Sequence, residues 1–309
     1  MAAHPGPVRL LTMLALLVST GLLGGFGPVS AIRAAGSIEC APPATPGAGS
    51  ATPAAPAPSA APATAAPFPQ NPGELTVFAA ASLTDAFGLI KTDLESANPG
   101  LTVTYNFAGS QALVTQLEQG ASADVSASAS RKTMDAAVGQ GLIDGKPVAF
   151  AKNRLALIVP NDNPAGIATP ADLARSGVKL VLAQPAVPVG QYAREAICKA
   201  GRVGAVYGEG FVEKVAANIV SEEDNVKAVV AKIQTGEADA GIVYTTDVNP
   251  QVAADVTVIE IPADINVVAT YPIAAVKGGK SALAHAFIEY VAGPKGQATL
   301  QSFGFEPTS

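Results

Sequence analysis

The chain has 309 residues, a formal net charge of −6 and only 14% charged residues. This acidic sequence lacks the basic runs of a nucleic-acid-binding surface, so we expect no nucleic-acid partner. Its length allows one large domain or two domains of ordinary size.

The first 73 residues have the composition of export and connecting segments. Arg9 precedes a mostly apolar run from 10 to 26, and Val29-Ser30-Ala31 then supplies the small residues that suit signal-peptidase cleavage. We therefore predict a signal peptide over 1–31; an uncleaved membrane anchor is the alternative. Residues 32–73, rich in Ala and Pro, are predicted to form a disordered tether. The protein is thus expected to be exported, periplasmic or on the cell surface, with the N-terminal segment available as a membrane tether.

The two cysteines bear on how the chain is anchored. Cys40 lies at the start of the tether and could carry a lipid, although Glu39 stands where a lipoprotein signal has a small residue. Cys198 falls on a predicted helix, where it is expected to be a small buried hydrophobic residue. With one cysteine in the tether and one in the body, we expect neither a structural disulfide nor a metal cluster.

From Glu74 onward, predicted strands and helices alternate. The strands are expected at 75–79, 102–107, 125–127, 154–159, 179–183, 219–220, 240–244 and 267–275. Helices are expected from 82, from 110, after 130, from 169, over 190–200, over 226–235 and over 281–291. The alternation predicts an α/β fold with mainly parallel sheets flanked by helices. We expect two lobes: residues 74–156 with 267–309 form the first, and residues 157–266 form the second.

Several strand-to-helix turns would meet at one edge of such sheets. Ser82 is predicted to be the N-cap of the first helix, with Asp85 completing a capping box. In open parallel sheets, ligands bind beyond the carboxyl ends of the strands, where helix N-termini present unpaired N–H groups and a positive dipole end. The turns at Ser110, at 188–190 and at Val226 are expected to lie at this edge, and they favour a small anion as the ligand.

Taken together, these segments resemble the molybdate-binding proteins of bacterial ABC transporters, a family of type II periplasmic binding proteins. The resemblance spans nearly all of 74–309, in the order of the family. It is carried by Ala80-Ala81-Ser82-Leu83, Phe107-Ala108-Gly109-Ser110, Gly120-Ala121-Ser122-Ala123-Asp124-Val125, Val187-Pro188-Val189-Gly190-Gln191-Tyr192-Ala193, Asn225-Val226-Lys227-Ala228-Val229 and Gly241-Ile242-Val243-Tyr244-Thr245-Thr246-Asp247.

This resemblance implies a two-lobed fold with the ligand in the cleft between the lobes, and it implies the residues that hold the ligand. Ser82 and Ser110 would donate from the first lobe through hydroxyl and main-chain N–H groups. Val189 and Val226 would donate main-chain N–H groups from the second lobe, and Tyr244 its phenolic hydroxyl. Molybdenum would be bound only as molybdate by these five residues, with no cation site and no cofactor. The family often has a small hydroxyl residue where Gln111 stands, so the role of Gln111 stays open.

The expected function is capture of molybdate, and of tungstate with it, for delivery to an ABC permease and its ATPase, by a monomeric protein. Sulfate, thiosulfate or another tetrahedral oxyanion is the alternative ligand. An enzyme is not expected, because Ser82 lacks a Gly-x-Ser-x-Gly elbow and His285 has no evident link to it. An iron(III) carrier is disfavoured because it would need clustered tyrosines or carboxylates, and the tyrosines of the body are not expected to pair: Tyr192, Tyr207, Tyr244, Tyr271 and Tyr290.

Overall fold

The computed structural model of the protein describes residues 37–42, 68–70 and 72–308; the predicted signal peptide lies outside these residues. The elements up to the middle of the chain are β1 (Gly73–Ala80), α1 (Thr84–Ala97), β2 (Leu101–Ala108), α2 (Ser110–Glu118), β3 (Val125–Ala127), α3 (Arg131–Gly139) and β4 (Ile143–Pro160). They are followed by β5 (Leu180–Ala183), α4 (Pro188–Arg202), α5 (Gly204–Tyr207), α6 (Phe211–Ala217), β6 (Ile219–Glu223), α7 (Val226–Gln234), β7 (Ala240–Tyr244), β8 (Val256–Ile259), β9 (Val268–Val276), α8 (Ser281–Ala292) and α9 (Pro294–Ser302). Within the described residues, no helix is long and apolar enough to cross a membrane.

The first sheet is built around β1, which pairs in parallel with β2 on one side and with β3 on the other. Leu75 and Val77 of β1 are completely buried. Helix α1 packs on the sheet through Phe87 and Ile90, which lie one turn apart on its apolar face. A central parallel strand is covered on both faces, which explains the nearly continuous apolar sequence of β1.

The second sheet repeats this arrangement around β5. This strand pairs in parallel with β6 and with β7. Helices α4 and α7 bury Ile197, Val229 and Ile233 in the core of this part of the molecule. The alternation of strands and helices therefore predicts the parallel pairs of both sheets correctly.

Two long antiparallel strands join the sheets. Strand β9 pairs with β3 and with β4, and β4 continues into the second sheet, where it pairs with β7 and β8. The strand order is β2-β1-β3-β9-β4-β7-β5-β6, with β8 beside β4. We divide the molecule into two halves. The first half contains β1–β3, β9, the part of β4 up to residue 154, and helices α1–α3, α8 and α9. The second half contains the described elements from 155 to 266. The sheets are thus mixed, with parallel cores and antiparallel connections.

The first turn after β1 differs from the prediction. Ala81–Leu83 form a short 3-10 helix, and α1 begins at Thr84 without a side-chain cap. The Ser82 hydroxyl instead lies 2.9 Å from the hydroxyl of Tyr271 on β9. The predicted capping box of Ser82 and Asp85 is therefore wrong, because a partner 189 residues away in the sequence engages the serine.

The cysteine prediction is also wrong, since Cys40 and Cys198 form a disulfide that closes a loop of 158 residues. Around it, Ile38 packs against the core and Arg202 donates to the carbonyl of Ala41. The predicted tether over 32–73 therefore does not apply to residues 37–42, which are fastened to α4. A cross-link over so long a loop contributes about 5 kcal/mol in the chain-entropy model. Because its sulfur is used in the disulfide, Cys40 in this form cannot carry a lipid.

Candidate functional site

A small cavity lies where the turns of the two halves face one another. Its lining consists of Ala80, Ala81, Ser82, Ala108, Gly109, Ser110, Ala129, Val187, Pro188, Val189, Asn225, Val226 and Tyr244. All five residues predicted to bind an oxyanion are in this set. The lining contains no carboxylate and no basic side chain, so the groups it offers are hydroxyls, one amide side chain and backbone dipoles.

The Ser110 hydroxyl is held ready to donate into the cavity. Ser110 is the first residue of α2, and its side chain is 3% exposed. Its oxygen accepts a hydrogen bond of 3.0 Å from the N–H of Ala129. Because that bond uses the oxygen as the acceptor, the hydroxyl proton stays available for a ligand.

Ser82 is oriented by a longer relay that includes Tyr271 and Asn153. The amide of Asn153 accepts from the N–H of Arg154 at 2.9 Å, which fixes its oxygen, and its Nδ2 donates to the Tyr271 hydroxyl at 3.3 Å. With its oxygen accepting from Asn153, Tyr271 can donate to Ser82. The Ser82 proton is then left for the cavity. Neither Tyr271 nor Asn153 was predicted from the sequence to support the site.

Tyr244 supplies the only side-chain hydroxyl of the second half in the cavity lining. It is 1% exposed, and its hydroxyl makes no hydrogen bond of normal geometry to the described residues, although the Tyr271 hydroxyl is near enough to influence its pKa. Burial raises the pKa of Tyr244 well above its ordinary value, so the phenol keeps its proton. Leaving a buried donor unpaired costs about 1 to 3 kcal/mol, and an anion in the cavity would remove that cost.

The ring of Tyr244 meets the ring of Tyr271 edge-on, with centroids 5.8 Å apart. The expectation that these two tyrosines do not pair is therefore wrong. They come from different strands, β7 and β9, that the sequence does not show to be close. Separately, the described residues contain no cluster of three or more His, Cys, Asp or Glu side chains.

Two helix N-termini complete the second-half side of the cavity. Helix α4 begins at Pro188 without a side-chain cap, which leaves the N–H of Val189 in its first turn. Helix α7 begins at Val226, and Asn225 caps it by accepting from the N–H of Ala228 at 3.1 Å. The Val226 N–H is thus not the one that the cap satisfies. Val189 and Val226 both line the cavity, so the positive ends of two helix dipoles lie at its wall.

The turn before α4 is held in place by the buried side chain of Arg194. Arg194 donates to the carbonyls of Ala183 and Gly190, at 2.7 and 2.8 Å, and pairs with Glu222 of β6. Gly190 is required here because a Cβ atom would overlap the backbone of Ala183 and Gln184. This packing fixes the helix start that carries Val189.

The turn before α2 touches the second half directly. A Cβ atom at Gly109 would lie 2.5 Å from the carbonyl oxygen of Asp224. Gln111 donates to the same carbonyl at 3.3 Å, and its Oε1 is buried without a partner among the described residues. Gln111 does not line the cavity, so the structure places it at the contact between the halves.

A wider groove lies elsewhere on the first half, between loops at Gly120, Gly141 and Gly278. Its buried carboxylate, Asp124, already accepts from the N–H groups of Thr76 and Lys280, at 2.8 and 2.7 Å. The groove therefore differs from the small cavity in having a carboxylate and two lysine side chains, Lys277 and Lys280, in its lining.

The fold and the cavity together define a class of protein. Two α/β halves, joined by long strands and facing each other across a cavity of hydrogen-bond donors, have the architecture of a solute-binding protein. The chain belongs to the family of bacterial extracellular solute-binding proteins, whose family model matches residues 75–306.

Relatives narrow this class. The molybdate-binding protein ModA of Mycobacterium tuberculosis is 38% identical over 289 residues, which is 93% of this chain and 97% of that protein. Two solved structures share the fold. The periplasmic molybdate-binding protein of Azotobacter vinelandii has a TM-score of 0.65 and 20% identity, over 76% of this chain and all of that one. The sulfate-binding protein SubI of M. tuberculosis has a TM-score of 0.69 and 17% identity, over 77% and 88%. The fold alone does not distinguish the two anions.

Proposed function

We propose that this protein captures molybdate, and tungstate with it, outside the cytoplasm and delivers it to an ABC permease and its ATPase. The observation that carries the proposal is the composition of the cavity, which offers donors from both halves and no acidic or basic side chain. The relationship to a molybdate-binding protein over almost its entire length supports this choice of anion.

The charge and protonation of the ligand explain this preference. Molybdate is a tetrahedral dianion with four acceptor oxygens, so a shell of donors satisfies it completely. Hydrogen phosphate carries a proton that would find no acceptor, which costs about 1 to 3 kcal/mol when buried. Sulfate is also a fully ionised dianion, and only its smaller size distinguishes it from molybdate in such a shell.

We further propose that the molecule closes as two lobes, residues 74–156 with 267–309 and residues 157–266, which correspond to the first and second halves except for residues 155 and 156. Strand β4 passes from one sheet to the other between Arg154 and Leu155, which supports a hinge there. An anion that touches both halves stabilises the closed form relative to the open one, and the closed form is what a permease would recognise. The binding protein is proposed to act as a monomer.

No reaction is proposed at this site. The hydrogen-bonding partner of the Ser82 hydroxyl is the Tyr271 hydroxyl, and burial raises the pKa of Tyr271, so this tyrosine is not a base at neutral pH. A nucleophilic serine needs an adjacent general base. Ser82 is therefore expected to donate a hydrogen bond to the anion rather than to attack a substrate.

Calorimetric titration of the purified, oxidised protein with molybdate, tungstate, sulfate, thiosulfate and phosphate tests the proposal. We expect tight binding of molybdate and tungstate at one site per chain, much weaker binding of sulfate and thiosulfate, and no heat from phosphate. Tight binding of sulfate or thiosulfate without a response to molybdate would replace the proposal by the alternative ligand class. Heat from none of the five anions would reject the oxyanion site itself.

A further inference from the structure

A group of charged and polar side chains joins the two halves beside the cavity without lining it. Lys227 of α7 donates to Asp85 of α1 at 2.9 Å, and its Nζ lies 3.7 Å from Oδ1 of Asp247. Asn249 donates to the same oxygen of Asp85 at 3.0 Å. Asp85 belongs to the first half, whereas Lys227, Asp247 and Asn249 belong to the second half.

Each charged residue of this group lies one to three positions after a residue that is proposed to donate a hydrogen bond to the anion. Lys227 comes directly after Val226, and Asp85 lies three residues after Ser82. Asp247 lies three residues after Tyr244, and its Oδ2 accepts from the Tyr244 N–H at 3.1 Å. The group is therefore connected through the backbone to three of the turns that form the cavity.

We propose that Asp85, Lys227 and Asn249 form a cross-half latch that stabilises the closed form and so sets the affinity and the residence time of the anion; this rests on the proposed function. On opening, Asp85 loses both of its second-half donors. Lys227 keeps a partner in its own half, because Asp247 remains beside it. Opening therefore does not leave Lys227 without a charged partner, and closing adds the contacts of Lys227 and Asn249 to Asp85.

Burial gives this ion pair more weight than an ordinary surface pair. The side chains of Lys227 and Asp85 are 28% and 30% exposed, and Asp247 is completely buried. Solvent screens such a pair less than it screens an exposed one. The pKa of Asp85 is lowered by its hydrogen bond and charge interaction with Lys227, against the opposing effect of burial, so its carboxylate is ionised at neutral pH.

The test compares Lys227→Met with Lys232→Met in the full-length protein with its disulfide formed. Lys232 is also on α7, but its partners Glu223 and Glu237 both belong to the second half. For Lys227→Met, we expect the Kd for molybdate to rise about tenfold, which corresponds to about 1.4 kcal/mol. The increase should come from faster dissociation, measured by stopped-flow displacement. Lys232→Met should leave both quantities within a factor of two.

Two further measurements separate a latch from a merely structural ion pair. Tungstate affinity should fall by the same factor as molybdate affinity, since the latch does not touch the anion. Adding Asp85→Asn to Lys227→Met should weaken binding much less than the separate losses multiplied together, because the two residues act as a pair.

The outcomes are distinguishable. If the unmodified protein binds molybdate and Lys227→Met leaves its Kd and dissociation rate unchanged while only lowering the unfolding temperature, the latch is rejected and the proposed function stands. If the unmodified protein binds no oxyanion, the proposed function fails. In that case small-angle scattering of the anion-free protein still tests the latch, which predicts a larger radius of gyration for Lys227→Met than for Lys232→Met.

Discussion

The two halves of the molecule supply hydrogen-bond donors to the cavity in different ways. The first half contributes the hydroxyls of Ser82 and Ser110, each oriented by a buried partner. In the proposed site, the second half relies on the main-chain N–H groups of Val189 and Val226, together with one phenol, Tyr244, all of which line the cavity. A side-chain donor can be removed by one substitution, but a main-chain donor stays as long as the helix start keeps its shape. The first half should therefore be the more sensitive to side-chain changes.

The largest effect is expected when one hydroxyl is removed from each side of the cavity. Hydrogen bonds to a charged group contribute about 1.5 to 3 kcal/mol each, so Ser110→Ala combined with Tyr244→Phe should weaken molybdate binding by a factor of roughly 10² to 10⁴. Calorimetry measures the loss, and circular dichroism should show an unchanged fold. An affinity equal to that of the unmodified protein would mean that the site has been placed wrongly.

A methyl group at Gly109 should act on closure rather than on a donor. In the described conformation it would overlap the Asp224 carbonyl of the other half, so Gly109→Ala should raise the Kd for molybdate by at least about tenfold. Gly88→Ala in α1, where a Cβ atom meets nothing, is the matched control and should bind normally. If Gly109→Ala binds molybdate as tightly as the control, binding does not require Gly109 and the Asp224 carbonyl to come this close.

Tyr271→Phe tests whether the relay that orients Ser82 contributes to binding. The substitution keeps the ring contact with Tyr244 but removes the hydroxyl that Ser82 and Asn153 share. We expect the Kd to rise about three- to tenfold, as for the loss of a net hydrogen bond of about 1 kcal/mol. Tyr271→Phe should cause no further loss of affinity in a Ser82→Ala background, because no Ser82 hydroxyl is left there for Tyr271 to orient. If Tyr271→Phe lowered the affinity for molybdate by the same factor in that background, Tyr271 would act on binding independently of Ser82.

The smallest effect is expected at Val189, where the donor is the backbone. Val189→Ala keeps the N–H in the first turn of α4, and Arg194 still holds that turn. The Kd should change by less than about threefold, although removing a buried Val side chain lowers stability by about 1 to 3 kcal/mol. Chemical unfolding and calorimetry on the same sample separate the two quantities. Loss of binding as large as that of the double hydroxyl variant would contradict a main-chain role.

Much of the fold could be predicted because its signals are local. The apolar run of β1, the strand 125–127 and the helix starts at Ser110 and Val226 are each defined by a few adjacent residues. The five proposed ligand residues lie at such turns, and they do come together in one cavity. Their role as ligands stays a prediction until binding is measured.

The remaining features depend on contacts between distant parts of the chain. The start of β4 escaped prediction because its pairing with β9 has register shifts between 144 and 151, which break the alternation of a regular strand. Asp85 looked like a capping residue because its partner Lys227 lies 142 residues further along the chain. Tyr271 sits within a buried strand, and nothing in its neighbourhood in the sequence distinguishes it from a core residue.

The disulfide between Cys40 and Cys198 has a consequence for where the protein matures. Thiols stay reduced in most bacterial cytosols, so this bond is expected to form in an oxidising compartment, in agreement with the proposed export. Before that, the newly made chain lacks the loop closure of 158 residues and is correspondingly easier to keep unfolded. For the exported protein that we propose, the bond that stabilises the mature form is therefore missing while the polypeptide passes through a translocation channel.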